Sequence, residues 1–323
     1  MSVLVYIDQS NGVAKKASLE AAYYGSKIAA KKGIEAIGIF LGEADASVLA
    51  SLGNFGLTKV MHANEAEFNH FDSKAAAKAV ANAAAACGAD CVVVPFNQNG
   101  QSLAPRISVR MKAGYVPGAS ALPDGEGQLS KAVFSGKSYA DYKVLTDKEV
   151  IGLSANSVQI EKSESIASVE AFASGVGATD FTIKVIKVET IDGEIPLTEA
   201  EIVVSAGRGL KGPENWGMIE DLAKTLGAAT ACSRPVSDVG WRPHHEHVGQ
   251  TGVTVKPNLY FAIGISGAIQ HLAGVNQSKV MVVINNDPEA PFFKSADYGI
   301  VGDAFAVVPA LLEEVKKFKT STH

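Results

Sequence analysis

The stretch Leu259-Tyr260-Phe261-Ala262-Ile263-Gly264-Ile265-Ser266-Gly267-Ala268-Ile269-Gln270-His271-Leu272-Ala273-Gly274 decides the fold. Residues 259–265 form a short apolar run, the mark of a strand buried on both faces. Ser266-Gly267-Ala268 breaks the run, and helical spacing follows over 267–273. Gly267 permits a tight turn and a close approach of backbone to a ligand. The helix start presents unpaired N–H groups and a positive dipole end, which suits a dinucleotide pyrophosphate.

Working outward, the same alternation recurs on both sides. Strands are expected at 201–205, 228–232, 280–285 and 299–302, with helices at 214–226 and 308–319. Strands alternating with helices predict an α/β domain built on a doubly wound parallel sheet. Each strand runs into polar or charged residues: Ser205-Ala206-Gly207-Arg208-Gly209, Ser233-Arg234-Pro235, Ser266-Gly267, Asn285 and Asp303. In open parallel sheets the ligand crevice lies outside the carboxyl ends of the strands. Five such endings with two arginines point to one site for a large polyanionic ligand.

The first ~125 residues alternate similarly, with strands at 3–8, 34–41, 60–63 and 91–96 and helices at 18–31 and 73–87. The segment Asn97-Gln98-Asn99-Gly100-Gln101-Ser102 reads as a polar loop capping the next helix. From 130 to 188 the pattern becomes mainly β, with short strands at 131–135, 142–145, 150–153 and 181–188 extending or capping the N-terminal sheet. The polar stretch 190–198, with Gly193 and Pro196, reads as the linker between two domains, 1–192 and 193–323.

The chain has 323 residues, 47% of them hydrophobic and 20% charged, the balance of an ordinary globular protein. A net charge of -5 without long like-charge blocks argues against a nucleic-acid surface. No apolar run approaches the ~18 residues of a membrane span. Three cysteines, Cys87, Cys91 and Cys232, suit a reducing compartment and buried structural roles. The N-terminus reads as a strand at once, without a signal peptide's charged start. A bacterial cytoplasmic location is expected, or the mitochondrial matrix for a processed eukaryotic form.

Several longer runs carry a specific resemblance. Val248-Gly249-Gln250-Thr251-Gly252, then Leu259-Tyr260 and 264–274, resemble the hallmark segment of electron transfer flavoprotein α subunits. Asn286-Asp287-Pro288-Glu289-Ala290-Pro291, residues 296–303, Gly207-Arg208-Gly209 and Ser233-Arg234-Pro235 are similar to the same family. The likeness is close over roughly 200–312 and holds in layout only before that. Met281 and Val283 stand where the family usually has a β-branched residue and alanine, both apolar exchanges.

The resemblance implies a heterodimer with a β subunit, contacted by the N-terminal domain, and FAD held by the C-terminal domain. It implies electron transfer from flavin dehydrogenases, notably acyl-CoA dehydrogenases of fatty acid β-oxidation, towards a quinone reductase. It therefore implies an electron carrier rather than an enzyme. Some relatives instead belong to NADH-linked electron-bifurcating flavoproteins. A nucleotide-binding regulatory module without redox chemistry is the remaining alternative, to be dismissed by a flavin spectrum.

By the same resemblance Arg234 lies over the isoalloxazine and favours its reduced, negatively charged forms. His271 stands near O2 and N1 of the ring, and Gln250 and Thr251 at its edge. Arg208, Ser266, Asn285 and Asp303 surround the ribityl, pyrophosphate and adenosine portions. Ser233, Val248, Gly249, Gly267, Ala268, Ile269, Gln270 and Ala304 complete the expected cofactor-binding set. Four of these have structural readings: Arg234 as a surface arginine before Pro235, His271 as a structural helix histidine, Gly249–Gly252 as a simple turn, and Asp303 as a helix N-cap, a role that can coexist with binding. The run His244-His245-Glu246-His247 looks metal-like, yet adjacent residues rarely converge on one ion, and it reads as a solvated loop. No nucleophile with a positioned base is evident, and no metal is expected.

Overall fold

A computed structural model describes residues 1–134, 136, 138–188 and 195–321. The chain divides into two compact units, Met1–Glu189 and Thr190–His323. The expected boundary after residue 192, and residues 190–194 of the expected linker, lie outside the described residues.

In the first unit the strands are β1 (Ser2–Ile7), the two arms of a small hairpin, β2 (Gln9–Ser10) and β3 (Val13–Ala14), then β4 (Glu35–Leu41), β5 (Lys59–Ala63), β6 (Ala89–Pro95), β7 (Gly114–Ala119), β8 (Leu129–Val133), β9 (Ser138–Tyr142), β10 (Glu149–Leu153) and β11 (Ser168–Ala171). The helices are α1 (Lys16–Lys32), α2 (Ala46–Ala50), α3 (Ser73–Ala86) and α4 (Gln98–Met111). Nine strands form one sheet in the order β11-β5-β4-β1-β6-β10-β7-β8-β9. All neighbours are parallel except the pairs β7–β8 and β8–β9. Alternation along β1 feeds two cores: Val3, Val5 and Ile7 on one face, Leu4 and Tyr6 on the other.

Three expectations for the β-rich region need correction. The strand expected at 142–145 lies earlier, at Ser138–Tyr142. Glu149–Leu153 does not cap the sheet but lies inside it, between β6 and β7. Residues 181–188 form no strand. The amides of Thr182 and Ile183 donate instead to Asp72 Oδ2, at 2.6 and 3.0 Å, so a carboxylate takes donors that a ladder would need. The polar loop after β6 caps α4 as expected: Asn97 Oδ1 accepts from the Gly100 amide at 2.9 Å. Asn97 and Asn99 also donate to buried Asp8 at the end of β1, which Lys15 neutralises at 2.9 Å. Side chains thus close the strand ends where this sheet reverses its order.

The second unit contains β12 (Ile202–Ala206), β13 (Ala229–Cys232), β14 (Leu259–Ile263), β15 (Val280–Asn285) and β16 (Tyr298–Val301). Its helices are α5 (Gly217–Leu226), α6 (Arg234–Asp238), α7 (Ile269–Val275) and α8 (Ala304–Ser321). The sheet order is β13-β12-β14-β15-β16, all parallel. Numbered along the unit this is 2-1-3-4-5, a doubly wound order whose switch point lies between its first and third strands. Tyr260 and Ala262 face one core with Val275 and Phe292; Phe261 and Ile263 face the other with Trp216, Leu222 and Val308. Helix α7 begins two residues later than its spacing suggests, because Gly267 sits at φ 85°, outside helical space. Helix α8 begins four residues earlier, at Ala304, and carries Pro309 inside it.

Candidate functional site

Strands β12 and β14 end side by side at the switch point. Beyond them the backbone of Gly207 and Gly209 crosses that of Gly264, with the Gly209 amide donating to Gly264 O at 3.1 Å. Gly264 has φ 61° and lies so near Gly209 that a Cβ on it would come within 2.9 Å of the Gly209 Cα. Only glycine meets both conditions, and the strand ends stay open beside it.

That opening is a cavity of about 380 Å³, within the range of small-molecule sites. Its wall brings together Arg208, Ser233, Arg234, Val248, Gly249, Gln250, Thr251, Ser266, Ala268, Gln270 and His271 from the expected set. These residues come from the ends of β12 and β13, the start of α6, the loop after α6, the β14–α7 turn and the first turn of α7. Pro235, His247, Gly264 and Ile265 also line it. Gly264 and Ile265 were legible as part of the strand–turn–helix run. His247 was hidden in the histidine cluster.

Five expected residues do not line this cavity. Gly267 packs against Phe292, where a Cβ would fall 2.5 Å from the Phe292 amide nitrogen. Ile269 points outward, 77% exposed. Asn285 uses its amide internally: Nδ2 donates to Ile265 O at 2.9 Å and Oδ1 accepts from the Asp287 amide at 3.0 Å. It clamps the end of β15 to the β14–α7 turn. Asp303 takes the N-cap role, with Oδ1 accepting from the Phe305 amide at 3.1 Å. Ala304 is the buried first residue of α8.

The solvated-loop reading of His244-His245-Glu246-His247 is corrected in its second half. Glu246 and His247 are buried, while His244 and His245 are exposed. Glu246 accepts from Arg242 Nε at 2.8 Å and from Thr230 at 3.2 Å. Arg242 bridges on to Glu220 at 2.7 Å and lies over the Trp216 ring at 5.6 Å. Hydrogen bonding to Glu246 raises the Arg242 pKa, so the guanidinium stays charged. His247 joins Cys232 through a parallel bridge and lies on the cavity wall. Burial holds its imidazole below the usual histidine range. Among the described residues no group of His, Cys, Asp and Glu is arranged to hold a metal.

This anchoring delivers the next loop. The Val248 amide donates to Cys232 O at 3.1 Å, and the Gln250 amide to Gln270 O at 2.7 Å. Gly249 has φ 155° and nearly touches Gly274 of α7, where a Cβ would stand 2.5 Å from the Gly249 Cα. The Val248–Gly252 segment is therefore a turn pinned at both ends, with exposed Gln250 and Thr251 at its tip.

His271 is 7% exposed. Its Nε2 is 2.9 Å from the Tyr260 hydroxyl, and Phe292 meets the imidazole edge-on at 5.7 Å. Its Nδ1 is buried without a protein partner among the described residues. Burial, aided by the nearby His247, pushes the ring pKa down to about 4, so the imidazole is neutral near pH 7. Arg234 differs in kind: its side chain is 61% exposed and pairs with Asp238 at 3.3 Å.

The wall fits a flavin dinucleotide. It offers arginines for a polyanion, polar loop tips, glycine-lined backbone and a buried imidazole nitrogen that the protein leaves unsatisfied.

Comparison with known proteins agrees. The family profile described as "Electron transfer flavoprotein FAD-binding domain" matches residues 196–276, and "Electron transfer flavoprotein domain" matches residues 3–175. The chain is 33% identical over 324 residues to an electron transfer flavoprotein subunit alpha of Thermoanaerobacterium thermosaccharolyticum, covering 98% of both. It is 34% identical over 320 residues to that of Bacillus subtilis, covering 98% of this chain and 97% of the relative. A mitochondrial relative from Dictyostelium discoideum is 39% identical over 241 residues, covering 71% of this chain and 66% of its own length. With full-length relatives on one side and a FAD-binding profile laid over the cavity's own strands on the other, the chain belongs to the electron transfer flavoprotein α-subunit family.

Proposed function

We propose that the chain holds FAD in the cavity at the ends of β12 and β14 and, joined to a β subunit, relays electrons from dehydrogenases to a quinone reductase. The observation that carries this reading is His271: a buried, neutral imidazole on the cavity wall, one nitrogen held by Tyr260 and the other without a protein partner. Bound FAD would supply the one- and two-electron chemistry, and the protein supplies binding, orientation and electrostatics.

Each residue contributes through its surroundings. Arg208 and Arg234 place positive charge on a wall that faces a polyanion. Gln250 and Thr251 offer polar groups from a turn that is pinned in place, so little ordering is needed on binding. Ser266 stands at the turn before α7. Asn285 and Asp303 act behind the wall, fixing the β14–α7 turn and the start of α8.

Electron carriage, rather than transformation of a small substrate, accords with the family. Acyl-CoA dehydrogenases are the proposed donors, which places the protein in fatty acid β-oxidation. The bacterial cytoplasm is its proposed location, with the mitochondrial matrix the counterpart in a eukaryote. Among the described residues no helix is long and apolar enough to cross a membrane.

The test is to co-express the chain with its β partner and record the visible spectrum. A flavin band bleached by an acyl-CoA dehydrogenase with its substrate, and unaffected by NADH, is the expected result. Direct bleaching by NADH would favour the bifurcating class, and a colourless complex would contradict the reading.

A further inference from the structure

Tyr260 is the second residue of the central strand β14, is fully buried, and belongs to no expected site. A phenol so placed must find a partner for its single hydrogen. Among the described residues the acceptor in hydrogen-bonding geometry is His271 Nε2, at 2.9 Å. Ser205, on the neighbouring strand, lies close enough to act as a donor towards the phenol oxygen but does not meet full hydrogen-bonding geometry, and it leaves the phenol hydrogen to His271. If His271 carried its hydrogen on Nε2, the phenol hydrogen would be left buried and unmatched. Nδ1 would at the same time present an unmatched lone pair. With Tyr260 donating, the phenol–imidazole contact is satisfied and the imidazole itself is left with one unmatched group: the Nδ1–H.

We propose that Tyr260 is a positioning residue that donates its hydroxyl hydrogen to His271 Nε2, thereby fixing the imidazole in the tautomer that carries hydrogen on Nδ1. This rests on the reading of the cavity as the FAD site, because the Nδ1–H then serves a hydrogen-bond acceptor of the bound cofactor. A neutral donor is the consequence. It can stabilise negative charge that develops nearby without carrying a full charge of its own into a buried site. Aromatic packing supports the geometry. Tyr260 stacks on Phe292 at 6.4 Å, and Phe292 meets His271 edge-on, so the imidazole is held on two sides.

The experiment is nitrogen NMR on the complex of the full chain with its β partner, histidine-labelled, with His271→Gln used to assign the signal. The expected result is a pyrrole-like Nδ1 and a pyridine-like Nε2 for His271, with and without flavin. Tyr260→Phe keeps the aromatic ring but removes the donor. It should mix the two tautomers, lower the flavin potential and shift the flavin absorption band while flavin is retained. A wild-type His271 with its hydrogen on Nε2 would overturn the proposal, as would a Tyr260→Phe complex with unchanged tautomer and potential. A complex that holds no flavin would contradict the FAD reading, while the tautomer is still read from the flavin-free spectrum.

Discussion

Arg234 is largely in solvent and shares its charge with Asp238, whereas His271 is sealed against Tyr260 and Phe292. That difference sets how much each can do to a bound flavin. For unit charges ~4 Å apart the attraction is about 4 kcal/mol at an effective dielectric of ~20 and about 1 kcal/mol in bulk water. The exposure of Arg234 places it towards the lower figure. Arg234→Ala should keep most of its flavin and lower the one-electron potential by roughly tens of millivolts, by the ~59 mV that one decade represents. Arg234→Lys should recover part of the change, since the charge remains while the planar fork is lost. Spectroelectrochemical titration of both variants beside the wild type checks this; an unchanged potential in Arg234→Ala would remove the side chain from the ring. His271 makes a prediction about pH. Its folded pKa of about 4 lies below the ordinary 6.5, so between those values the unfolded chain binds more protons. Stability from this group is therefore fully present above about pH 6.5 and is lost as pH falls towards 4. The loss is on the order of 3 kcal/mol. Urea unfolding across that window should show a slope in the wild type that His271→Gln reduces; parallel curves would mean His271 is not buried neutral.

Elements carry the site by their ends, and the best-supported end is that of β13. Glu246 is 2% exposed on its side chain and depends on Arg242, which links it to Glu220 on α5 and to the Trp216 ring. Removing one partner of a buried ion pair costs about 3–5 kcal/mol, because the other is left uncompensated. Arg242→Ala should approach that cost, reduced somewhat because Arg242 is itself 20% exposed. Its thermal midpoint should fall by several degrees and its flavin affinity with it, since the 247–253 loop loses its anchor; thermal unfolding and flavin retention on gel filtration read both. At this scale the limits of the sequence are also visible. The runs at β1, β6, β14 and β15 announce themselves because long apolar stretches have no other place in a folded chain. Strand β7, Gly-Tyr-Val-Pro-Gly-Ala, hides behind two glycines and a proline that normally argue against a strand. Strand β11 is exposed at all four positions and carries no burial signal. Residues 181–188 alternate like a strand, but Asp72 captures their amides. Hydrogen bonds to its carboxylate outweigh its own burial and hold its pKa below the ordinary value. In the site, motif residues such as Gln250, Arg234 and His271 were legible because their runs are long and ordered. Tyr260 reads as one more apolar strand residue until the 2.9 Å contact is seen.

On the scale of the whole molecule, two largely parallel α/β sheets share one chain, and their strand ends differ: a cavity of about 30 Å³ beside Asp8 and Leu41 in the first unit, a far roomier one at the switch point of the second. In the first unit, Asp8 gathers Lys15, Asn97 and Asn99 across the corresponding strand ends. The second has glycine backbone, a pinned turn and a cavity of about 380 Å³ there. The cofactor of this chain therefore belongs to the second unit alone. Gly249 offers the most direct test, because its φ of 155° strains any side chain and its backbone is pressed against Gly274. Flavin per complex should be measured spectrophotometrically for the wild type, Gly249→Val and Asp8→Asn, each co-purified with the β partner. Gly249→Val should carry one flavin fewer per complex than the wild type, while Asp8→Asn should carry the same number. Full flavin in Gly249→Val, or its loss in Asp8→Asn, would contradict that assignment.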